Sequence, residues 1–426
     1  MRENMLKKSK KQLRMTKVFI PGGFPTVTYI ARKEKQLEER VLAAQDSLAK
    51  LVVVTGATKS GKTVLVDKVF PQNSSIWIDG GAISDENSFW EIIVEKADLF
   101  TEKEYVEQDM ESSTIEAEGS IEGNVLVVKG TATTKGTAGV ENVSGRNLKR
   151  TITSKVAAIN MLQSEEIPLI VDDFHYIDKK IQKSIVRALK APIMHGLPVI
   201  FIAIPNRKYD AVEVEREMTG RIENIEMPVW EEEELKSIAE QGFGALNIKV
   251  SSLLITKLSQ SAYGSPFLMQ EFCRTLCQNC EIEEYMEKEQ YISDNIDIKN
   301  VFIEIAEHSG RSIFNKLKRG PRARSDRKKR VLQSGEETDI YGVVLEGLKA
   351  LKPGVESMPY ELLRNNIKNV LAENPPQKNE ISRVLDQIAK ISYTDTSSTP
   401  VIDWQRDDDI ITVTDPFFAF FLRWAR

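Results

Sequence analysis

One octet constrains this chain more than any other stretch: Gly56-Ala57-Thr58-Lys59-Ser60-Gly61-Lys62-Thr63, directly behind the apolar run Leu51-Val52-Val53-Val54-Thr55. A short continuous apolar run reads as a strand buried on both faces. Gly56 and Gly61 let the chain curl after it, so that backbone N–H groups converge on one point. The residues from Gly61 onward suit a helix, whose positive N-terminal end faces the same point. Strand, glycine loop and helix together make a cradle for phosphate groups.

The expected nucleotide-binding residues are therefore Gly56, Ala57, Thr58, Lys59, Ser60, Gly61, Lys62, Thr63 and Val64. Lys62 is placed to reach the β- and γ-phosphates, and the Thr63 hydroxyl to ligate magnesium. The expected cofactors are ATP and Mg2+. Three further apolar runs follow, at Ser75–Asp79, Pro168–Asp173 and Leu197–Ile204, and Ile222–Met227 reads as a fifth strand. Helical patterns at Asp85–Phe100, Thr151–Gln163 and Ile181–Leu189 separate them, and Arg32–Arg40 precedes the first. Strands alternating with helices predict a parallel α/β sheet.

Asp172 and Asp173 stand at the carboxyl end of one of these runs, the edge where open α/β sheets bind ligands. Asp172 is expected to hold magnesium through water, and Asp173 to orient or deprotonate the attacking water. Asn206 follows the fourth strand, a place from which a polar side chain touches the γ-phosphate or that water. Arg207, Arg216 and Arg221 lie beyond it, and Arg221 is the preferred arginine finger, on its own or a neighbouring subunit. The expected catalytic set is Asp173, Lys62, Asn206 and Arg221; the expected metal ligands are Thr63 and Asp172. His175 reads first as a packed or solvated histidine, with relay of the nucleotide state as the alternative.

The chain of 426 residues has room for two or three domains. With a net charge of −5 it is not a general nucleic-acid binder, although a local basic patch is compatible with that charge. No apolar run approaches the roughly 18 residues that span a bilayer, so no membrane partner is expected. Residues 1–17 read as a basic cytoplasmic tail without the apolar core of a signal peptide. The α/β core is expected over 18–229. Within it, 112–147 is a Gly/Thr-rich β insertion, disordered or hairpin-forming, or else an oligomerisation or partner element.

Residues 230–315 read as a helical lid, and 316–338 as a basic linker. Nine of the fifteen residues at 316–330 are Lys or Arg, a block that favours solvent. From 339 to 426 the order is helix, helix, helix, two short strands and a closing Asp415-Pro416-Phe417-Phe418-Ala419-Phe420-Phe421 segment, the order of a winged helix. The three cysteines, Cys273, Cys277 and Cys280, fall on one face of a helical stretch and read as core thiols rather than cluster ligands.

With these parts placed, the chain resembles the AAA+ and STAND superclass of P-loop ATPases, in the branch that includes archaeal and bacterial STAND-like ATPases and the origin-recognition type. The octet at Gly56 matches the Walker A motif, and Leu169-Ile170-Val171-Asp172-Asp173-Phe174-His175-Tyr176-Ile177 the Walker B. Gly264-Ser265-Pro266 looks like the Gly-x-Pro motif of the STAND lid, which adds Pro266 to the expected nucleotide contacts. The end of the chain looks like the closing segment of that branch's winged helix. Phe267 stands where an AAA+ second sensor would carry arginine, which leans toward STAND. By position alone, Pro25 and Arg32 resemble the segment that covers adenine and ribose.

The resemblance implies a P-loop sheet with a helical lid and a C-terminal winged helix, acting as a slow ATPase switch that assembles into a homo-oligomer. Its partner would be DNA, met through the basic linker and winged helix, or a protein effector, and antiviral defence is a role that fits. A DNA loader or transposition regulator, and a protein-contact module that uses ATP only for assembly, are the alternatives.

Overall fold

A computed structural model describes residues 13–44, 50–98, 102–107, 146–151, 153–204, 220–321, 327–395 and 400–425. Its centre is a parallel sheet. Strands β1 (Leu51–Thr55) and β2 (Ile76–Asp79) come first, and β3 (Glu102–Glu107) and β4 (Arg146–Thr151) form a separate antiparallel pair. Strands β5 (Leu169–Asp172), β6 (Val199–Ala203) and β7 (Ile222–Glu226) complete the sheet, whose order is β2-β5-β6-β1-β7.

Side chains alternate across it, as the two-residue period of a strand requires. Val53, Val171 and Phe201 enter one apolar core with the helices Glu86–Lys96, Ser154–Ser164 and Lys179–Met194. Val52, Val54, Ile170 and Ile200 enter a second core on the other face, with Leu65 and Val66 of the Lys62–Val69 helix. The β1 strand lies between β6 and β7 in parallel register, Val54 facing Ile202 and Ile225. The phosphate loop thereby leaves the middle of the sheet at its carboxyl edge. The predicted insertion at 112–147 lies outside the described residues apart from Arg146 and Asn147, which β4 contains.

After the sheet come helices Glu232–Ala245, Ser252–Ser261, Pro266–Asn279 and Ile298–Arg319, with β8 (Ile248–Val250) paired to β9 (Gln290–Ile292). Cys273 and Cys277 are buried in this unit, and burial pushes their thiols well above the ordinary range, Cys277 to about 12. The hairpin β10 (Arg330–Val331) and β11 (Glu337–Thr338) follows. Then come the helix Ile340–Leu351, β12 (Ser357–Pro359), the helices Tyr360–Val370 and Lys378–Asp395, β13 (Ile402–Gln405), β14 (Ile410–Val413) and the helix Pro416–Trp424. The last three strands form an antiparallel sheet ordered β12-β14-β13.

The helical unit and this C-terminal unit share a third core. Phe302 meets Phe420 at 5.5 Å and Trp424 at 4.9 Å, and Phe314 meets Phe421 at 5.1 Å between ring centroids. Within 316–338, expected as a basic linker, the described residues include the end of a helix and the β10–β11 hairpin. Phe314 and Leu317 are buried and carry the Ile298 helix on to Arg319. The basic side chains that follow find acids: Lys318 with Glu336 (3.1 Å), Arg327 with Asp339 (2.7 Å), Lys329 with Glu337 (2.9 Å) and Arg330 with Glu380 (3.4 Å). No helix among the described residues is long and apolar enough to cross a membrane.

Candidate nucleotide site

The loop after β1 has two residues in the left-handed region, Lys59 (φ 59°) and Gly61 (φ 94°). Such turns aim successive backbone N–H groups into one concavity, a ready site for anions. Lys62 opens the next helix, and its Nζ donates to the carbonyls of Gly56 (3.0 Å) and Ala57 (2.9 Å). Burial lowers its pKa to about 8, a shift that the charges of Asp173 and Asp172 oppose. The Ser60 hydroxyl is buried without a hydrogen-bond partner among the described residues.

The Asp172 carboxylate, at the end of β5, accepts from the Thr63 hydroxyl and from the Asp173 N–H (2.9 Å). Burial raises its pKa. Asp173 takes a left-handed backbone conformation (φ 49°). Burial and the neighbouring Asp172 charge push its carboxyl up to about 6, against the pull of Lys62. Asp79 pairs in register with Asp172 across β2 and β5 and adds negative charge to both. The ring of His175 is buried, with Nδ1 3.9 Å from Asp173 Oδ1.

In front of the loop is a cavity of about 600 Å³, the size of an ordinary small-molecule site. Lys59, Lys62, Thr63, Val64 and Asp173 line one side. Phe24, Pro25 and Tyr29 from the segment before the sheet line another, and Pro266, Phe267 and Gln270 a third. Gln270 holds that segment in place: its Oε1 accepts from the Ile20 N–H (3.1 Å) and its Nε2 donates to Thr28 Oγ1 (2.7 Å). An anion-accepting loop, a lysine, a hydroxyl–carboxylate pair and an apolar chamber match a magnesium-bound nucleoside triphosphate.

The structure brings together Lys62, Thr63, Asp172 and Asp173, with Pro266 across the cavity. Asn206, Arg207 and Arg216 lie outside the described residues. Arg221 precedes β7, and its carbonyl accepts from the Leu51 N–H at the amino edge of the sheet. That is a strand's length, about 15 Å, from the loop, so Arg221 does not reach the nucleotide of its own chain. Arg32 lines the cavity, but its guanidinium is engaged by Glu234 (2.8 Å) and the carbonyls of Pro228 and Val229 (both 3.0 Å). Sequence reasoning missed Trp230, Phe267 and Gln270 as cavity walls. Only tertiary packing brings them there, although Phe267 directly follows the Gly264-Ser265-Pro266 segment.

No protein-family model and no curated protein matches the chain. Solved structures do. The Walker-type ATPase PABY2304 of Pyrococcus abyssi superposes with a TM-score of 0.51 at 13% identity, over 92% of this chain and 96% of that one. The ORC2 protein of Aeropyrum pernix, solved as ADPNP and ADP complexes, gives 0.50 at 15% identity, over 96% of each chain. The chain shares the overall fold of these two solved structures. The phosphate loop follows the carboxyl end of β1, and Asp172 closes β5 beside it.

Proposed function

We propose that the chain binds ATP with Mg2+ and hydrolyses it slowly, as a switch of the AAA+/STAND type. One observation carries the reading: Lys62, Thr63, Asp172 and Asp173 converge beside an apolar cavity of about 600 Å³. Lys62 neutralises the β- and γ-phosphates, Thr63 and Asp172 hold the magnesium, and Asp173 takes the proton of the attacking water. Magnesium, when bound, offsets the charge that develops on the phosphate oxygens. Asn206 completes the γ-phosphate side, and Arg221 serves the site of a neighbouring copy in a homo-oligomer. Titration with an ATP analogue and magnesium, followed by phosphate release from ATP, tests this. Saturable binding with slow turnover is expected, and absence of binding contradicts it.

The C-terminal unit is read as a winged helix, which its helix–strand–helix–helix–strand–strand order supports. A protein effector is the preferred partner. The ion pairs of Lys318, Arg327, Lys329 and Arg330 already occupy much of the basic run, and Lys378 is paired with Asp409 (2.6 Å). Exposed Arg319, Lys328, Arg383 and Lys390 favour DNA as the second reading. A gel-shift series across salt concentrations decides between them: binding that weakens steeply with salt supports DNA.

A further inference from the structure

Lys59 is the fourth residue of the phosphate octet, and its left-handed backbone is one that non-glycine residues keep only where their surroundings fix it. What fixes it comes from the last helix of the chain. The Lys59 ammonium stands 3.6 Å from the ring centroid of Phe417 and 4.6 Å from that of Phe267. The two rings meet edge to face at 4.9 Å, so one cation is shared by both. Asp415 adds an opposite charge nearby, held by the N-cap bond it accepts from the Phe418 N–H (2.7 Å). Phe267 belongs to the helical unit and lines the cavity. Three parts of the fold therefore meet at one lysine of the phosphate loop.

We propose that Phe417 and Asp415 are positioning residues of the nucleotide site: by holding Lys59 they fix the phosphate loop, so the site is complete only while the C-terminal unit is docked. That unit shares its core with the helical unit, so the two dock and release as one block. Loop and block are then coupled in both directions. Undocking the block loosens nucleotide binding, and nucleotide in the loop favours the docked block.

The inference rests on the nucleotide reading above, and the test separates the two. Affinity for an ATP analogue is measured calorimetrically on the full chain for wild type, Lys59→Met, Phe417→Leu and the double variant. Each single variant should bind about fivefold more weakly, the scale of a cation–π contact. The double variant should bind no more weakly than either single one, because both remove the same contact. Phe417→Tyr, which keeps the ring, should bind like wild type. Losses that multiply in the double variant, or a Phe417→Leu affinity equal to wild type, overturn the latch and leave the nucleotide site standing. A wild-type chain that binds no analogue overturns the nucleotide reading and the latch with it. If Phe417→Leu does not fold, the other two variants still decide: unchanged affinity in Lys59→Met, or a loss in Phe417→Tyr, contradicts the inference.

Discussion

Trp230 donates its indole N–H to the Ser60 carbonyl at 2.8 Å, fastening the phosphate loop to the point where the chain leaves the sheet for the helical unit. The same ring lies under the Arg32 guanidinium at 4.6 Å, and Arg32 in turn binds Glu234 of the first helix of that unit. The hinge between sheet and helical unit is thus clasped to the nucleotide site from two sides. Trp230→Phe keeps an aromatic ring under Arg32 while removing the N–H donor together with part of the ring. A single lost hydrogen bond is worth about 1 kcal/mol, so affinity for an ATP analogue should fall about fivefold. Calorimetric titration checks this, and an unchanged affinity would show the clasp to be incidental.

Gly80 packs against the strained Asp173 backbone. A Cβ at Gly80 would lie 2.4 Å from the Asp173 carbonyl oxygen and 3.0 Å from that of Asp172. Neither backbone atom can yield without moving the carboxylates. Gly80→Ala should leave nucleotide binding largely intact and lower the hydrolysis rate at least about tenfold, a part of the roughly 10²–10⁴-fold that a general base supplies. Single-turnover phosphate release is the measurement. A wild-type rate would remove Asp173 geometry from the account.

The pH profile follows from two shifted groups. Asp173 titrates at about 6 and Lys62 at about 8. Below the first value Asp173 carries a proton and cannot accept one from water; above the second, Lys62 loses the charge that attracts phosphate. The value of kcat/KM should rise with pH through about 6 and fall through about 8, a bell set by the free protein. A profile flat across that window would assign the chemistry to other groups.

All five strands of the parallel sheet were legible in the sequence to within about two residues; four are largely apolar runs such as Leu51–Val54, which have few other uses, while Ile222–Glu226 at the sheet edge mixes in Glu223, Asn224 and Glu226. The phosphate loop was legible for a related reason: two glycines and a lysine at fixed spacing behind a strand are a local arrangement. What was not legible is tertiary. Trp230 reaches Ser60 across 170 residues, and Phe417 reaches Lys59 across most of the chain, and no periodicity announces either contact. Three-residue strands such as β8 and β12 are too short to alternate visibly. The basic run was read as solvated because its acids, Glu336, Glu337, Asp339 and Glu380, lie beyond it in sequence and pair with it only in the fold. The ion pair of Arg32 with Glu234 and its bonds to the Pro228 and Val229 carbonyls, made while it lines the cavity, were likewise not legible from its position.

The central claim is that Lys62, bonded across the mouth of its own loop to Gly56 and Ala57, is the phosphate-binding cation of an ATP site. Calorimetric titration of wild type and Lys62→Ala with an ATP analogue and magnesium tests it most directly. Charge-assisted hydrogen bonds are worth about 1.5–3 kcal/mol, so the variant should bind at least about tenfold more weakly. Equal affinity in the two proteins, or no binding by wild type, would contradict it.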